Sequence, residues 1–233
     1  MNALAGYAHL YDPERDFDRW YTQFTARRLR PHLAPGARVL ELGAATGLLT
    51  QVIAGEGRCI VAVERAAAYV ARLAARGLPG VEVRHALVED FDDPAPFDHI
   101  LACNLLHEIP DVGSVLARLA RLLAPGGVLH ATLPNPDSLH RIAAHAAGLI
   151  QDQAALSERG RQLQTLRLIP AQEIIDRCGA QGLRLLGQEA IMIKPLPNAA
   201  MAQASDPLIE LWGALADLLP AHGALTYLRF GHG

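Results

Sequence analysis

The stretch Val39-Leu40-Glu41-Leu42-Gly43-Ala44-Ala45-Thr46-Gly47 decides the reading of this chain. A short apolar run enters a glycine-spaced turn, and Leu48-Leu49-Thr50-Gln51-Val52-Ile53 then has the character of a helix. Many α/β proteins hold a nucleotide with this strand, turn and helix, beyond the carboxyl end of the first strand. Outward from it, between residues 38 and 133, short apolar runs alternate with helical stretches, the pattern of βαβ units and a parallel sheet. Strands are predicted at 38–42, 59–63, 81–85, 99–103 and 128–133, with helices between. The clearest helix is 112–123: Val112, Val115, Leu116, Leu119, Leu122 and Leu123 recur at helical spacing, Asp111 can cap it, and Pro125-Gly126-Gly127 ends it.

The flanks depart from this alternation. Residues 13–33 read as a helical segment rich in aromatic and charged side chains. Residues 136–163 read as one or two helices with polar faces, 170–179 as another helix and 183–193 as a strand. A proline-broken loop at 194–206, a helix at 207–219 and a last strand at 225–230 complete the chain. The segments outside the alternation are candidates for a lid and a substrate pocket.

Composition narrows the function classes. With 233 residues and 51% hydrophobic content, the chain can bury the core of one large α/β domain. The net charge of −3, with basic residues spread along the chain, argues against a nucleic-acid partner. Apolar runs fall short of the ~18 residues a membrane span needs, and the first residues lack a basic region leading into an apolar core, so a soluble, cytoplasmic protein is expected. The distant cysteines Cys59, Cys103 and Cys178 read as small apolar filler rather than a disulfide framework. Ten histidines form no zinc-like spacing, so no metal is expected. Lys194 is the only lysine among 21 basic residues, which reads as the mark of a GC-rich bacterial genome.

The turn itself discriminates among nucleotides. A phosphate loop needs G-x-x-x-x-G-K-[ST], which is not present here. A dinucleotide turn needs G-x-G-x-x-G, whereas Gly43 and Gly47 have Ala45 between them and Leu48 beyond, leaving a pyrophosphate less room.

Taken with Val61-Ala62-Val63-Glu64, Phe97-Asp98-His99-Ile100-Leu101-Ala102-Cys103-Asn104-Leu105-Leu106-His107, Leu122-Leu123-Ala124-Pro125-Gly126-Gly127-Val128-Leu129 and Leu133-Pro134-Asn135, the opening stretch resembles the class I S-adenosylmethionine-dependent methyltransferases over roughly residues 36–135. The resemblance implies a Rossmann-like, doubly wound, seven-stranded and mostly parallel sheet with an antiparallel last strand. The single domain would have its core at about 36–135, 169–193 and 224–231, a helical cap at 1–35 and a helical lid at about 136–168. It implies S-adenosylmethionine as cofactor, S-adenosylhomocysteine as product, and a small-molecule acceptor, with the protein a monomer or a homodimer. That cofactor carries no phosphate, so a turn admitting its amino-acid part and ribose suffices.

The resemblance also assigns residues. Gly43, Ala45 and Gly47 would form the turn, and Glu41 would orient it and the cofactor's ammonium group. Glu64, 64 − 43 = 21 positions after the first glycine, would accept hydrogen bonds from both ribose hydroxyls, with Arg65 beside it. Leu87, Val88 and Glu89 would meet the adenine edge; Asn104 would face the sulfonium. Ahead of the core, Tyr7, Tyr11 and Arg15 could close over the cofactor, Tyr11 or Arg15 binding its carboxylate. Family members often have glycine at Ala45 and an acid at Leu87, so Glu89 or Asp90 would substitute, or backbone contacts and packing would select adenine.

For the acceptor, His107 is the first candidate base, because the loop after the fourth strand faces the methyl donor in this fold. His140 and His145, five positions apart and about 140° around a helix, do not both face one pocket. Asn135 could orient an acceptor or cap the next helix. Pro134-Asn135-Pro136-Asp137-Ser138-Leu139-His140 resembles a bacterial small-molecule subset that often carries a His and a Tyr further on, where this chain has Leu163-Gln164-Thr165-Leu166-Arg167-Leu168. The expected activity is methyl transfer to oxygen or nitrogen of a small, possibly natural-product, molecule. The alternatives are another reaction of the same cofactor, such as intramolecular cyclisation releasing methylthioadenosine, a binding protein without turnover, and a nicotinamide-dependent oxidoreductase.

Overall fold

A computed structural model describes residues 11–163 and 165–233. Tyr7, with the rest of 1–10, and Gln164 lie outside the described residues.

Seven strands form one sheet: β1 (Arg38–Leu42), β2 (Cys59–Glu64), β3 (Val81–His85), β4 (Phe97–Cys103), β5 (Leu123–Pro134), β6 (Leu183–Ile193) and β7 (Gly223–His232). Their spatial order is β3-β2-β1-β4-β5-β7-β6, with β7 antiparallel to both its neighbours and the pairings from β3 to β5 parallel. The resemblance implied this sheet and its antiparallel last strand. The chain leaves β1 toward β2 and β3, then returns to add β4 on β1's other side. The strand order therefore reverses between β1 and β4, where doubly wound sheets open a crevice beyond their carboxyl ends.

Alternation along the strands feeds two cores. Leu40, Leu42, Val61 and Val63 point to one face, Val39, Ile60 and Ala62 to the other. The first face is covered by α4 (Val112–Leu122), whose Val112, Val115, Leu116, Leu119 and Leu122 are buried, and by α7 (Ala171–Gly179) through Ile174 and Cys178. Asp111 caps α4 by accepting from the Ser114 N–H at 3.1 Å. The second face receives α1 (Arg19–Leu29) and α2 (Leu48–Ile53), with α3 (Ala67–Ala75) adding Leu73. Trp20, Phe24 and Leu29 of α1 are buried with Ile191, Leu225 and Tyr227 of β6 and β7. The segment read as a cap is thus, from Arg19 onward, part of this layer.

The chain between β5 and α7 holds α5 (Leu139–Ala146) and α6 (Glu158–Gln162), neither of which buries a residue. The stretch read as a loop at 194–206 contains a short α8 (Asn198–Met201), and α9 (Asp206–Ala214) ends five residues before the predicted boundary. The Pro125-Gly126-Gly127 stop is also displaced. Leu123 already pairs with Phe97, so the helix ends one residue earlier and the glycines form an irregularity inside β5 before Val128 pairs with His99. Cys59, Cys103 and Cys178 are free thiols.

Candidate active site

A crevice of about 330 Å³ opens beyond the carboxyl ends of β1 and β4. Three groups of side chains meet there: the strand tips, the approach to α1 with Tyr11 and Asp18, and the lid that follows β5.

At the strand tips the backbone makes the site. Gly43 (φ +69°) and Ala45 (φ +47°) put two left-handed residues into the turn, and a Cβ on Gly43 would sit 3.1 Å from Leu105 Cδ1. Alanine holds that conformation at a cost glycine would not bear. The fold around the turn keeps it there: the Gly43 and Ala44 N–H groups donate to the Val63 carbonyl (2.9 and 3.1 Å), and the Ala45 N–H donates to Glu64 Oε2 (2.9 Å). Glu64 Oε1 accepts from the Ala66 N–H at 2.7 Å, so one buried carboxylate ties the two strand ends together while lining the crevice. Gly47 lies outside the lining, between Thr46 and Leu48, which belong to it. It caps α2 in the left-handed region (φ +84°), where a Cβ would overlap Leu73.

Glu41 lines the crevice from β1 and is buried. Its Oε2 makes no well-formed hydrogen bond among the described residues, and burial, joined by repulsion from Glu64, pushes its carboxyl up to about 7 against the opposing pull of the Thr50 hydroxyl. A buried carboxylate in the wall of a cavity is stabilised by a cation or by a donor that a ligand brings. Across the crevice Arg65 pairs with Glu108 at 3.2 Å; burial raises Glu108 to about 7 as well, against the pull of Arg65.

Past β3, Val88 and Glu89 line the crevice, whereas Leu87 is 39% exposed and, like Asp90, lies outside it. Of the two acids weighed as replacements for Leu87, the geometry brings Glu89. Asn104 stands at the tip of β4 in the left-handed region (φ +54°), its N–H bonded to Thr132 Oγ1 (2.9 Å), so β4 and β5 are fastened at their ends. Tyr11 lines the crevice with its hydroxyl donating to Asp18 (3.2 Å) and its carbonyl accepting from the Tyr69 hydroxyl (2.6 Å). Arg15 is 90% exposed and outside the lining, so the structure separates it from Tyr11.

The acceptor candidates divide. His107 sits in a buried 3-10 turn, Leu106–Glu108, with its Nδ1 unpartnered among the described residues; burial pulls its imidazole down to about 4. His140, on α5, also lines the crevice. Its Nδ1 is 3.1 Å from Ser138 Oγ, and burial, with the charges of Lys194 and Arg141, lowers it to about 3. His145 is bound to the Ile150 carbonyl outside the lining. Asn135 lines the crevice; its amide donates to the Ala221 (2.9 Å) and Gly223 (3.0 Å) carbonyls, and its Oδ1 accepts from the Asp137 N–H (2.9 Å). The side chain pins the β5 exit to the segment entering β7 and does not cap α5, whose N-cap is Ser138.

Residues that sequence reasoning passed over complete the lid side. Arg159 of α6 reaches Asp16 (2.7 Å) and Asp18 (3.1 Å), and Arg141 donates to the Gln153 and Ala155 carbonyls. Lys194, at the end of β6, lines the crevice, and burial pulls its ammonium down to about 8. Its solitary status in the sequence was the one available signal.

A family profile described as a methyltransferase domain matches residues 14–188. A ubiquinone biosynthesis O-methyltransferase of Paracidovorax citrulli (strain AAC00-1) is 30% identical over 173 residues, covering 70% of this chain and 71% of that one. One of Xylella fastidiosa (strain 9a5c) is 34% identical over 105 residues, 43% of each protein, so the chain spans less than half of that relative's length. Among solved structures, the Burkholderia thailandensis 1,6-didemethyltoxoflavin-N1-methyltransferase with bound 1,6-didemethyltoxoflavin and S-adenosylhomocysteine superposes with a TM-score of 0.67 at 19% identity, over 98% of this chain and 84% of that one. The described residues contain no helix long and apolar enough to cross a membrane.

Proposed function

The chain belongs to the methyltransferase-domain family, with the class I S-adenosylmethionine-dependent fold, and from that membership we propose that it transfers a methyl group to oxygen or nitrogen of a small molecule. The observation that carries the reading is Glu41, a buried carboxylate in the crevice wall just before the turn whose Oε2 makes no well-formed hydrogen bond among the described residues, which suits the ammonium of an amino-acid ligand. The two left-handed residues of the turn, which leave space for close approach, and the carboxylate of Glu64 support it from the other end. S-adenosylmethionine supplies, when bound, a methyl group on a positively charged sulfur that an acceptor's lone pair can displace.

The chain's own work is to position and to desolvate. Glu41 holds the ammonium, Glu64 the ribose through the lone pairs its backbone donors leave free, and Val88 with Glu89 the base. Asn104 and the Arg65–Glu108 pair close the wall near the reacting centre. With their pKa values near 4 and 3, His107 and His140 are neutral imidazoles at pH 7. They accept a hydrogen bond from an acceptor's O–H or N–H and aim its lone pair, while their low basicity leaves the proton to depart to solvent as the new bond forms. Rate enhancement then rests mainly on alignment in a cavity shielded from water.

Calorimetric titration tests the reading. Heat is expected with S-adenosylmethionine and S-adenosylhomocysteine; tight binding of NAD with no response to either would overturn it. Incubation with S-adenosylmethionine alone is expected to leave it intact. Release of methylthioadenosine would replace transfer by the intramolecular reaction.

A further inference from the structure

The lid side of the crevice carries positive charge that the protein leaves uncompensated. Lys194 lines the cavity and forms neither a hydrogen bond nor an ion pair through its ammonium among the described residues. The carboxylate that attracts it, Asp18, is already occupied by Arg159 (3.1 Å), Tyr11 (3.2 Å) and Asn198 (2.8 Å). Arg141, also in the lining, binds two neutral backbone carbonyls and has no ion pair among the described residues; Asp152 acts on it only at longer range. The neighbouring His140 is neutral, so it offsets nothing. Every other basic side chain is arginine, or histidine, and the single compact ammonium stands inside the crevice.

Lys194 and Arg141 are half-buried in the crevice wall with no carboxylate of their own, and a ligand of opposite sign is favoured beside such charges. Building on the methyl-transfer reading, we infer that the acceptor bears a carboxylate, and that Lys194, with Arg141 contributing field, binds it and selects anionic acceptors over their neutral counterparts. Lys194 lowers the nucleophilicity of the carboxylate it holds, so the anion serves as the handle and another oxygen or nitrogen of the same molecule takes the methyl group. Leu156, Leu163 and Leu168 line the same cavity and provide an apolar wall for the body of such a molecule.

The test uses the full chain saturated with S-adenosylhomocysteine and a paired panel of small hydroxy and amino acids, aromatic and aliphatic, with the primary amide of each. Binding is read by ligand-observed NMR and calorimetry in wild type, Lys194→Met and Lys194→Arg. Binders are expected among the acids and not their amides, with affinity falling about tenfold or more in Lys194→Met and partly restored in Lys194→Arg. S-adenosylhomocysteine affinity, measured first in each variant, is expected within twofold of wild type, which shows that the variants fold and that the cofactor end is intact. Amides binding as well as acids, acids insensitive to Lys194→Met, or no acid bound would overturn the inference while the methyl-transfer reading stood. Failure of wild type to bind S-adenosylhomocysteine would instead remove that reading itself.

Discussion

The two walls of the crevice are held by different means. The strand tips are fixed by backbone: Glu64 receives two N–H groups from separate segments, Asn104 is bonded to β5, and the turn hangs from the Val63 carbonyl. The lid is fixed by long side chains. Neither α5 nor α6 buries a residue, and the region is moored by Arg141, by Arg159 and by single backbone bonds such as Leu166 N–H to the His107 carbonyl (3.0 Å). Backbone anchors within a packed core hold a site to one geometry, whereas exposed ion pairs contribute about 1 kcal/mol or less and leave a segment able to open. In the proposed reading the rigid wall faces the part of the reaction common to the family, and the loosely moored wall faces the acceptor.

The largest effect is expected at Glu64. Glu64→Ala removes a carboxylate bonded at both oxygens, so S-adenosylmethionine affinity should fall tenfold or more by calorimetry, with a lower melting temperature because the Ala45 and Ala66 donors lose their partner. An unchanged dissociation constant would take Glu64 out of the site.

Next comes pH. Glu41 has its free-protein pKa raised to about 7, and an ammonium bound beside it would pull that value down, so binding releases a proton. Affinity for S-adenosylmethionine should therefore improve as pH rises from 6 to 7, by up to about tenfold per unit. It should flatten above 7 and decline once the ligand's own amino group, near 8, loses its proton. A flat profile between pH 6 and 7 would break the assignment of Glu41.

Arg159→Ala probes the other wall. It should raise the acceptor KM about three- to fivefold, the equivalent of ~0.6–1 kcal/mol for half-exposed pairs. Amide hydrogen exchange over residues 152–163 should accelerate, with cofactor affinity unchanged. A loss of cofactor affinity instead would erase the distinction between the walls. The smallest effect is at Ala45, held at φ +47°. Ala45→Gly relieves the left-handed strain but adds chain entropy, a net stabilisation of roughly 0.5–1 kcal/mol. The melting temperature should rise by about 1–4 °C in a thermal scan; a decrease would mean the turn relies on the Ala45 methyl group for packing.

The same contrast explains what could be read from residues alone. The strand wall is encoded locally: Val39 to Gly47 carries its own strand and turn, and Glu64 follows an apolar run at a countable distance. The lid wall depends on contacts far apart in the chain. Asn135 is spent on carbonyls 86 and 88 positions away, Arg159 meets Asp18 across 141 positions, and Lys194 enters the crevice only because β6 ends there. No periodicity encodes such meetings. Gly47 illustrates another kind of motif position, one whose glycine suits a left-handed backbone (φ +84°) at the helix start, close to Leu73.

A crystal structure of the chain with S-adenosylhomocysteine measures the central claim directly. The account predicts the ligand in the crevice beyond β1 and β4, with its ammonium at Glu41 and both ribose hydroxyls within hydrogen-bond distance of Glu64, roughly 2.6–3.0 Å. A ligand bound elsewhere, or a sugar out of reach of Glu64, would contradict it.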